Sequence, residues 1–117
     1  MVVYRRVLLK LSGEALKSEH DLFDFEKVNR VAGIIRRMHD LGTEIGIVIG
    51  AGNIWRGRQG PAARMDAVTA DQMGMLGTVI NCLCMADALR HAGSLRRPRD
   101  RWSSLSPRHY TTGTLSV

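Results

Sequence analysis

Val7-Leu8-Leu9-Lys10-Leu11-Ser12-Gly13 and Glu44-Ile45-Gly46-Ile47-Val48-Ile49-Gly50-Ala51-Gly52-Asn53 are two apolar runs that each stop at glycine. Runs of this length, bounded by turn residues, read as buried strands. Between them, Asp24 caps a predicted helix that runs to Leu41, with Gly42 as its stop. Phe25, Val28, Ala32 and Ile35 fall at i, i+3, i+7 and i+10, one helical face. After the second strand, Asp66 caps a predicted long helix that ends near Ala92, with Gly93 as its stop. Leu76, Ile80, Leu83 and Asp87 mark one side of it, and Met75, Val79, Ala86 and Leu89 mark the adjoining apolar side. The order β-α-β-loop-α implies a parallel sheet with right-handed crossovers. Two strands and two helices leave such a sheet incompletely covered, so the body reads as the first part of a larger α/β unit.

The chain has 117 residues, 44% hydrophobic and 24% charged, an ordinary balance for one globular domain at most. No apolar run approaches the roughly 18 residues of a membrane span, and the N-terminus lacks the apolar core of a secretory signal. Cys82 and Cys84 cannot form a disulfide framework. Two apart on a helix, they point about 200° apart and cannot share a metal. His20, His39, His91 and His109 have no ligand spacing to one another. Met65, Met73, Met75 and Met85 read as core or interface filler.

The net charge of +6 is unevenly spread. Residues 1–93 carry 12 Lys and Arg against 10 Asp and Glu, whereas residues 94–117 carry five Arg against one Asp. The tail also holds Pro98, Pro107 and five Ser, and only six of its 24 residues are hydrophobic. So few apolar groups cannot offset the entropy of ordering it, so the tail is expected to be disordered.

Glycine at a strand end lets backbone N–H groups approach a phosphate with no Cβ in the way, and parallel α/β folds collect ligands there. Lys10 supplies a cation beside Ser12-Gly13. Arg56, Arg58 and Arg64 follow the second turn, and Arg suits bidentate phosphate contact. Asp71, early in the long helix, suits acceptance of sugar hydroxyl hydrogen bonds as well as the helix dipole. Tight turns and a solvated loop are the plainer account of the same residues. Two nucleotide motifs fail: G-x-G-x-x-G would need glycine where Trp55 stands, and Gly52-x4-Gly57 is followed by Arg58-Gln59 rather than Lys and Ser/Thr.

In combination, three segments closely resemble the bacterial uridylate (UMP) kinase family of the amino-acid kinase superfamily. They are Val7 to Leu16, Ile47 to Gly57, and Met65-Asp66 through Asp71-Gln72-Met73-Gly74-Met75-Leu76. The resemblance runs from about Tyr4 to Gly93. It implies the N-terminal part of a three-layer αβα sandwich over residues 1–93, and transfer of the ATP γ-phosphoryl group to UMP in pyrimidine nucleotide biosynthesis. By position, Lys10, Leu11, Ser12 and Gly13 would line the ATP phosphates, with Lys10 as the catalytic cation. Gly52 and Arg56 would also serve ATP, while Ala51 and Asp71 would contact UMP. The family implies Mg²⁺, held by the nucleotide phosphates with no protein ligand identified in this sequence, a hexamer, GTP and UTP as effectors, and a cytoplasmic location.

The chain departs from the family in three places. Ala51 stands where a third glycine is usual. The turn before the first helix, Ser18-Glu19-His20-Asp21-Leu22-Phe23, has no glycine. Beyond Gly93 the resemblance gives way to Ser94-Leu95-Arg96-Arg97-Pro98, which reads as a shifted reading frame or, alternatively, a diverged tail. A chain lacking the family's second half is expected not to turn over UMP. Two other functions remain open: another kinase of the superfamily, acting on a carboxylate or carbamate, and a weak nucleic-acid binder acting through the basic tail and Trp102.

Overall fold

A computed structural model of the protein describes residues 3–56, 64–94 and 114–116. Strand β1 (Arg6–Leu11) and strand β2 (Glu44–Ile49) pair in parallel, with Val7 opposite Ile45, Leu9 opposite Ile47 and Leu11 opposite Ile49. Helix α1 (Phe25–Asp40) is the crossover between them. Helix α2 (Ala67–Ser94) follows the second strand. A third strand, β3 (Thr114–Ser116), lies antiparallel on the far side of β2, giving the sheet order β1-β2-β3.

Local chemistry sets the ends of α1. The Asp24 carboxylate accepts from the N–H groups of Glu26 (3.1 Å) and Lys27 (3.3 Å), two donors that the helix itself leaves unpaired. At the other end Gly42 takes φ 97°, a conformation that favours glycine, and the chain turns into β2.

Both helices pack on one face of the sheet. Ile45, Ile47 and Ile49 of β2 meet Val28, Ala32 and Ile35 of α1 and Cys82, Met85, Ala86 and Leu89 of α2, all buried. Val7, Leu9 and Leu11 complete that face from β1. The described residues thus form one helical layer on one sheet. The opposite sheet face carries Leu8, Lys10, Gly46 and Val48, and Leu8 is 69% exposed.

Five expectations need correction. Strand β1 is not buried throughout but alternates exposed and half-buried, because it is an edge strand with one face open. Phe25 does not join the buried face of α1 and is exposed. It is the first helical residue, and its ring sits 6.3 Å from that of Phe23 at the helix entrance. On α2, Ala86 and Leu89 are buried, but Met75, Leu76, Ile80 and Leu83 are exposed on the side turned away from α1 and the sheet. Helix α2 also continues through Gly93 to Ser94, since a glycine in a last turn costs under about 1 kcal/mol. Within the tail, Thr114–Ser116 is a strand, because the free edge of β2 offers backbone partners to any extended segment. The expected disorder of the remaining tail residues, 95–113 and 117, falls outside the described residues.

By length and composition, Ala67–Ala92 is apolar enough to cross a membrane. In this fold Cys82, Met85, Ala86 and Leu89 of that helix lie in the core, and its buried polar residue Asn81 is hydrogen-bonded within the protein.

The division between buried and exposed apolar positions on α2 is measurable. Met85→Ala should lower the unfolding free energy by about 2–5 kcal/mol. Leu76→Ser should change it by less than about 0.5 kcal/mol. Urea denaturation followed by circular dichroism compares the two.

Candidate functional site

The parallel pairing brings the carboxyl ends of β1 and β2 side by side, and Gly50 N–H donates to the Leu11 carbonyl at 2.9 Å. The two glycine turns that follow are in contact. A Cβ placed on Gly13 would lie 2.5 Å from the Gly50 oxygen and 2.7 Å from both the Gly52 nitrogen and Asn53 Oδ1. No side chain fits there, so Gly13 is required by close approach. A short 3-10 helix, Gly13–Leu16, leads out of the first turn. The Ser12 hydroxyl caps it by accepting from Glu14 N–H at 3.2 Å.

The second turn lies along one stripe of α2. Ala70, Gly74, Gly77 and Asn81 recur at i, i+4, i+7 and i+11. Trp55 Nε1 donates to the Ala70 carbonyl at 2.9 Å, and its ring faces Gly74. A Cβ on Gly77 would lie 2.9 Å from that of Ala51, so glycine there lets the turn settle onto the helix. One turn further on, Asn81 Nδ2 donates to the Gly50 carbonyl and to Asn53 Oδ1, both at 2.7 Å. Asn53 Nδ2 donates to Asn81 Oδ1 at 3.1 Å and to the Leu22 carbonyl at 2.9 Å. Both carboxamides are buried, and all four of their N–H bonds are used. The pair joins the end of β2, the loop before α1, and α2.

Lys10, Leu11, Ser12, Gly13, Ala51, Gly52 and Arg56 are drawn together at this end of the sheet. Lys10 is exposed on the open sheet face, and its ammonium has no partner among the described residues. Ala51 and Gly52 direct backbone N–H groups that meet no acceptor among the described residues. Arg56 is ion-paired with Glu14 and donates to the Gly52 carbonyl at 3.4 Å. Asp71 is exposed on the second turn of α2, and the Trp55 bond to the preceding residue fixes that turn beside the loop. Asp66 caps α2 as expected, accepting from the Thr69 N–H at 3.0 Å. Arg64 is exposed, and Arg58 lies outside the described residues.

Sequence reasoning missed Glu14, Asn53, Gly77 and Asn81. An asparagine on an otherwise apolar helical face was the available signal for Asn81, since a buried carboxamide must find partners. Among the described residues no three His, Cys, Asp or Glu converge as a metal site. Of the two cysteines, Cys82 is buried, and burial raises its thiol above the ordinary range. Cys84 is half-buried and is raised by burial and then by the Asp87 charge.

The amino acid kinase family model matches residues 5–96. A uridylate kinase of Onion yellows phytoplasma (strain OY-M) is 45% identical over 98 residues, covering 83% of this chain and 41% of that protein. Among solved structures, the UMP kinase from Ureaplasma parvum superposes with a TM-score of 0.69 at 39% identity, over 75% of this chain and 39% of that one. The UMP kinase from Bacillus anthracis gives 0.67 at 42% identity, over 75% of this chain and 36% of that one. The chain therefore spans about two fifths of the length of the relatives it matches.

Two measurements check this geometry. Gly13→Ala should destabilise the protein by about 1–3 kcal/mol through overpacking. Gly33→Ala, with nothing within 4 Å of the added methyl on α1, should stabilise it by up to about 1 kcal/mol. The thiols should alkylate more slowly than free cysteine at pH 8, Cys82 most slowly. Because folding raises both thiol pKa values, their contribution to stability is complete below the unfolded pKa and is lost as pH rises through the folded one. Alkylation followed by mass spectrometry, and melting points across alkaline pH, read the two effects.

Proposed function

The chain belongs to the amino acid kinase family, and we propose that it is the phosphate-gripping part of a UMP kinase, using ATP to convert UMP to UDP. One observation carries this reading. Two glycine turns meet at the carboxyl ends of parallel strands, beside backbone N–H groups and a lysine that meet no partner among the described residues. Such a place suits polyphosphate. The similarity to uridylate kinases narrows the acceptor to UMP.

In the transfer, a UMP phosphate oxygen attacks the γ-phosphorus of ATP. The bond from that phosphorus to the β–γ bridging oxygen breaks, and ADP leaves. The protein's task is positioning and charge stabilisation. Lys10 neutralises the transferring group, and the Ser12-Gly13 and Gly52 backbones hold the ATP phosphates with Leu11 beneath them. Arg56 joins them when phosphate oxygens replace the Glu14 carboxylate as its partner. Ala51 receives UMP, and the Asp71 carboxylate accepts from a UMP hydroxyl. Magnesium would enter as its ATP complex and supply further charge neutralisation. No protein ligand is assigned to the metal. Residues 1–93 are taken as the kinase-like unit. A cytoplasmic location, assembly as a hexamer and response to GTP or UTP belong to the same proposal.

A chimera tests the reading. Residues 1–93 replace the corresponding part of the Bacillus anthracis UMP kinase, and UDP formation from ATP and UMP is followed. The expected outcome is turnover that Lys10→Ala lowers by about 100-fold or more, the scale of losing one preorganised charge contact. Preference for an amino acid or carbamate over UMP would replace this reading with the other superfamily chemistry.

A further inference from the structure

The Asn81 carboxamide has no part in the family resemblance drawn from the sequence, yet it is the group that grips the second turn from below. Its Nδ2 holds the Gly50 carbonyl at 2.7 Å. A trans peptide is planar, with its C=O and N–H on opposite sides. No cis peptide occurs among the described residues, so fixing the Gly50 carbonyl toward Asn81 points the Ala51 N–H away from Asn81. That N–H meets no acceptor among the described residues.

The orientation of the carboxamide is itself determined. Asn81 Nδ2 serves two acceptors, the Gly50 carbonyl and Asn53 Oδ1, while Asn81 Oδ1 accepts from Asn53 Nδ2. Turning the group over would set oxygen against the Gly50 carbonyl oxygen and leave two acceptors facing each other. Asn53 cannot rotate to relieve this, because its own second N–H is committed to the Leu22 carbonyl. Gly77, one turn before Asn81, supplies the close approach that brings the turn within reach.

We propose that Asn81 is a positioning residue, whose carboxamide fixes the Gly50–Ala51 peptide so that the Ala51 N–H faces a bound phosphate. The inference rests on the phosphate-binding reading of the two turns. Asn81 itself is completely buried, out of a ligand's reach. It acts through the peptide, with Asn53 as the partner that holds it in register. A leucine of similar size would fill the space but leave the peptide free to turn over.

The test uses the full 117-residue chain, ¹⁵N-labelled, titrated separately with ATP, UMP and pyrophosphate. Affinity is measured where each variant is fully folded by its melting curve. Wild type should show the Ala51 amide among the resonances that shift on binding. Asn81→Leu should bind about tenfold or more weakly, the scale of one lost charge-assisted hydrogen bond, and its Ala51 amide should no longer respond. Asn81→Ser, too short to reach the Gly50 carbonyl, should behave alike and serves if the leucine variant does not fold. Met85→Ala, a core change on the same helix, should lower the melting point and leave the affinity of the folded protein unchanged. That contrast separates positioning from mere stabilisation.

Wild-type UMP binding that is retained in both Asn81 variants, or that leaves the Ala51 amide unmoved, would overturn the proposal while leaving the nucleotide reading intact. Pyrophosphate binding at Ala51 that is lost in the variants, with no binding of ATP or UMP, would support the proposal and remove the nucleotide reading. Failure of wild type to bind any of the three would overturn both.

Discussion

Gly13 sits against the Gly50–Asn53 turn at a separation that no side chain tolerates, and the arrangement of the site follows from that contact. It exists because β1 and β2 run parallel and end in register at Leu11 and Ile49. Parallel pairing requires a crossover, and α1 supplies it, with Asp24 and Gly42 setting its ends. The turns then need a floor. Helix α2 provides one through Ala70, Gly74, Gly77 and Asn81, the small residues allowing approach and the carboxamide binding the backbone. Sheet, crossover and floor together place two turns that are held from below, while the Ala51 and Gly52 N–H groups meet no acceptor among the described residues.

The same architecture accounts for what lies open. The helices cover the Ile45–Ile47–Ile49 face, and the other face presents Leu8, Lys10 and Val48. A lysine on an open face beside two glycine turns remains hydrated and acts as a point charge of modest strength, since an ion pair at 4 Å in water is worth about 1 kcal/mol. The pull of such a cation on an anion rises where water is excluded. The relatives with this fold are about two and a half times longer than the matched segment.

Much of this was legible in the sequence, for definite reasons. The strands could be read because apolar runs halted by glycine are short and unambiguous, and α1 because Asp24, the Val28–Ala32–Ile35 spacing and Gly42 agree. The buried side of α2 was harder. Its residues are apolar nearly all round, so periodicity does not say which side meets the sheet, and Leu76, Ile80 and Leu83 proved exposed. The residues proposed to face phosphate stand out through glycine placement and charge. The residues that hold them do not, because Asn53 and Asn81 lie 28 positions apart and only folding shows that they pair. Strand β3 had no side-chain pattern to read, since backbone pairing with the β2 edge defines it.

The most direct measurement is a crystal structure of the chain with UMP and a non-hydrolysable ATP analogue. The account predicts phosphate density over the outer side of the Gly50–Gly52 turn, within hydrogen-bond reach of the Ala51 N–H. Lys10 should be directed to the same phosphates, and the Asn53–Asn81 pair should be intact. Nucleotide bound elsewhere, or bound there only after the asparagine pair has come apart, would contradict it.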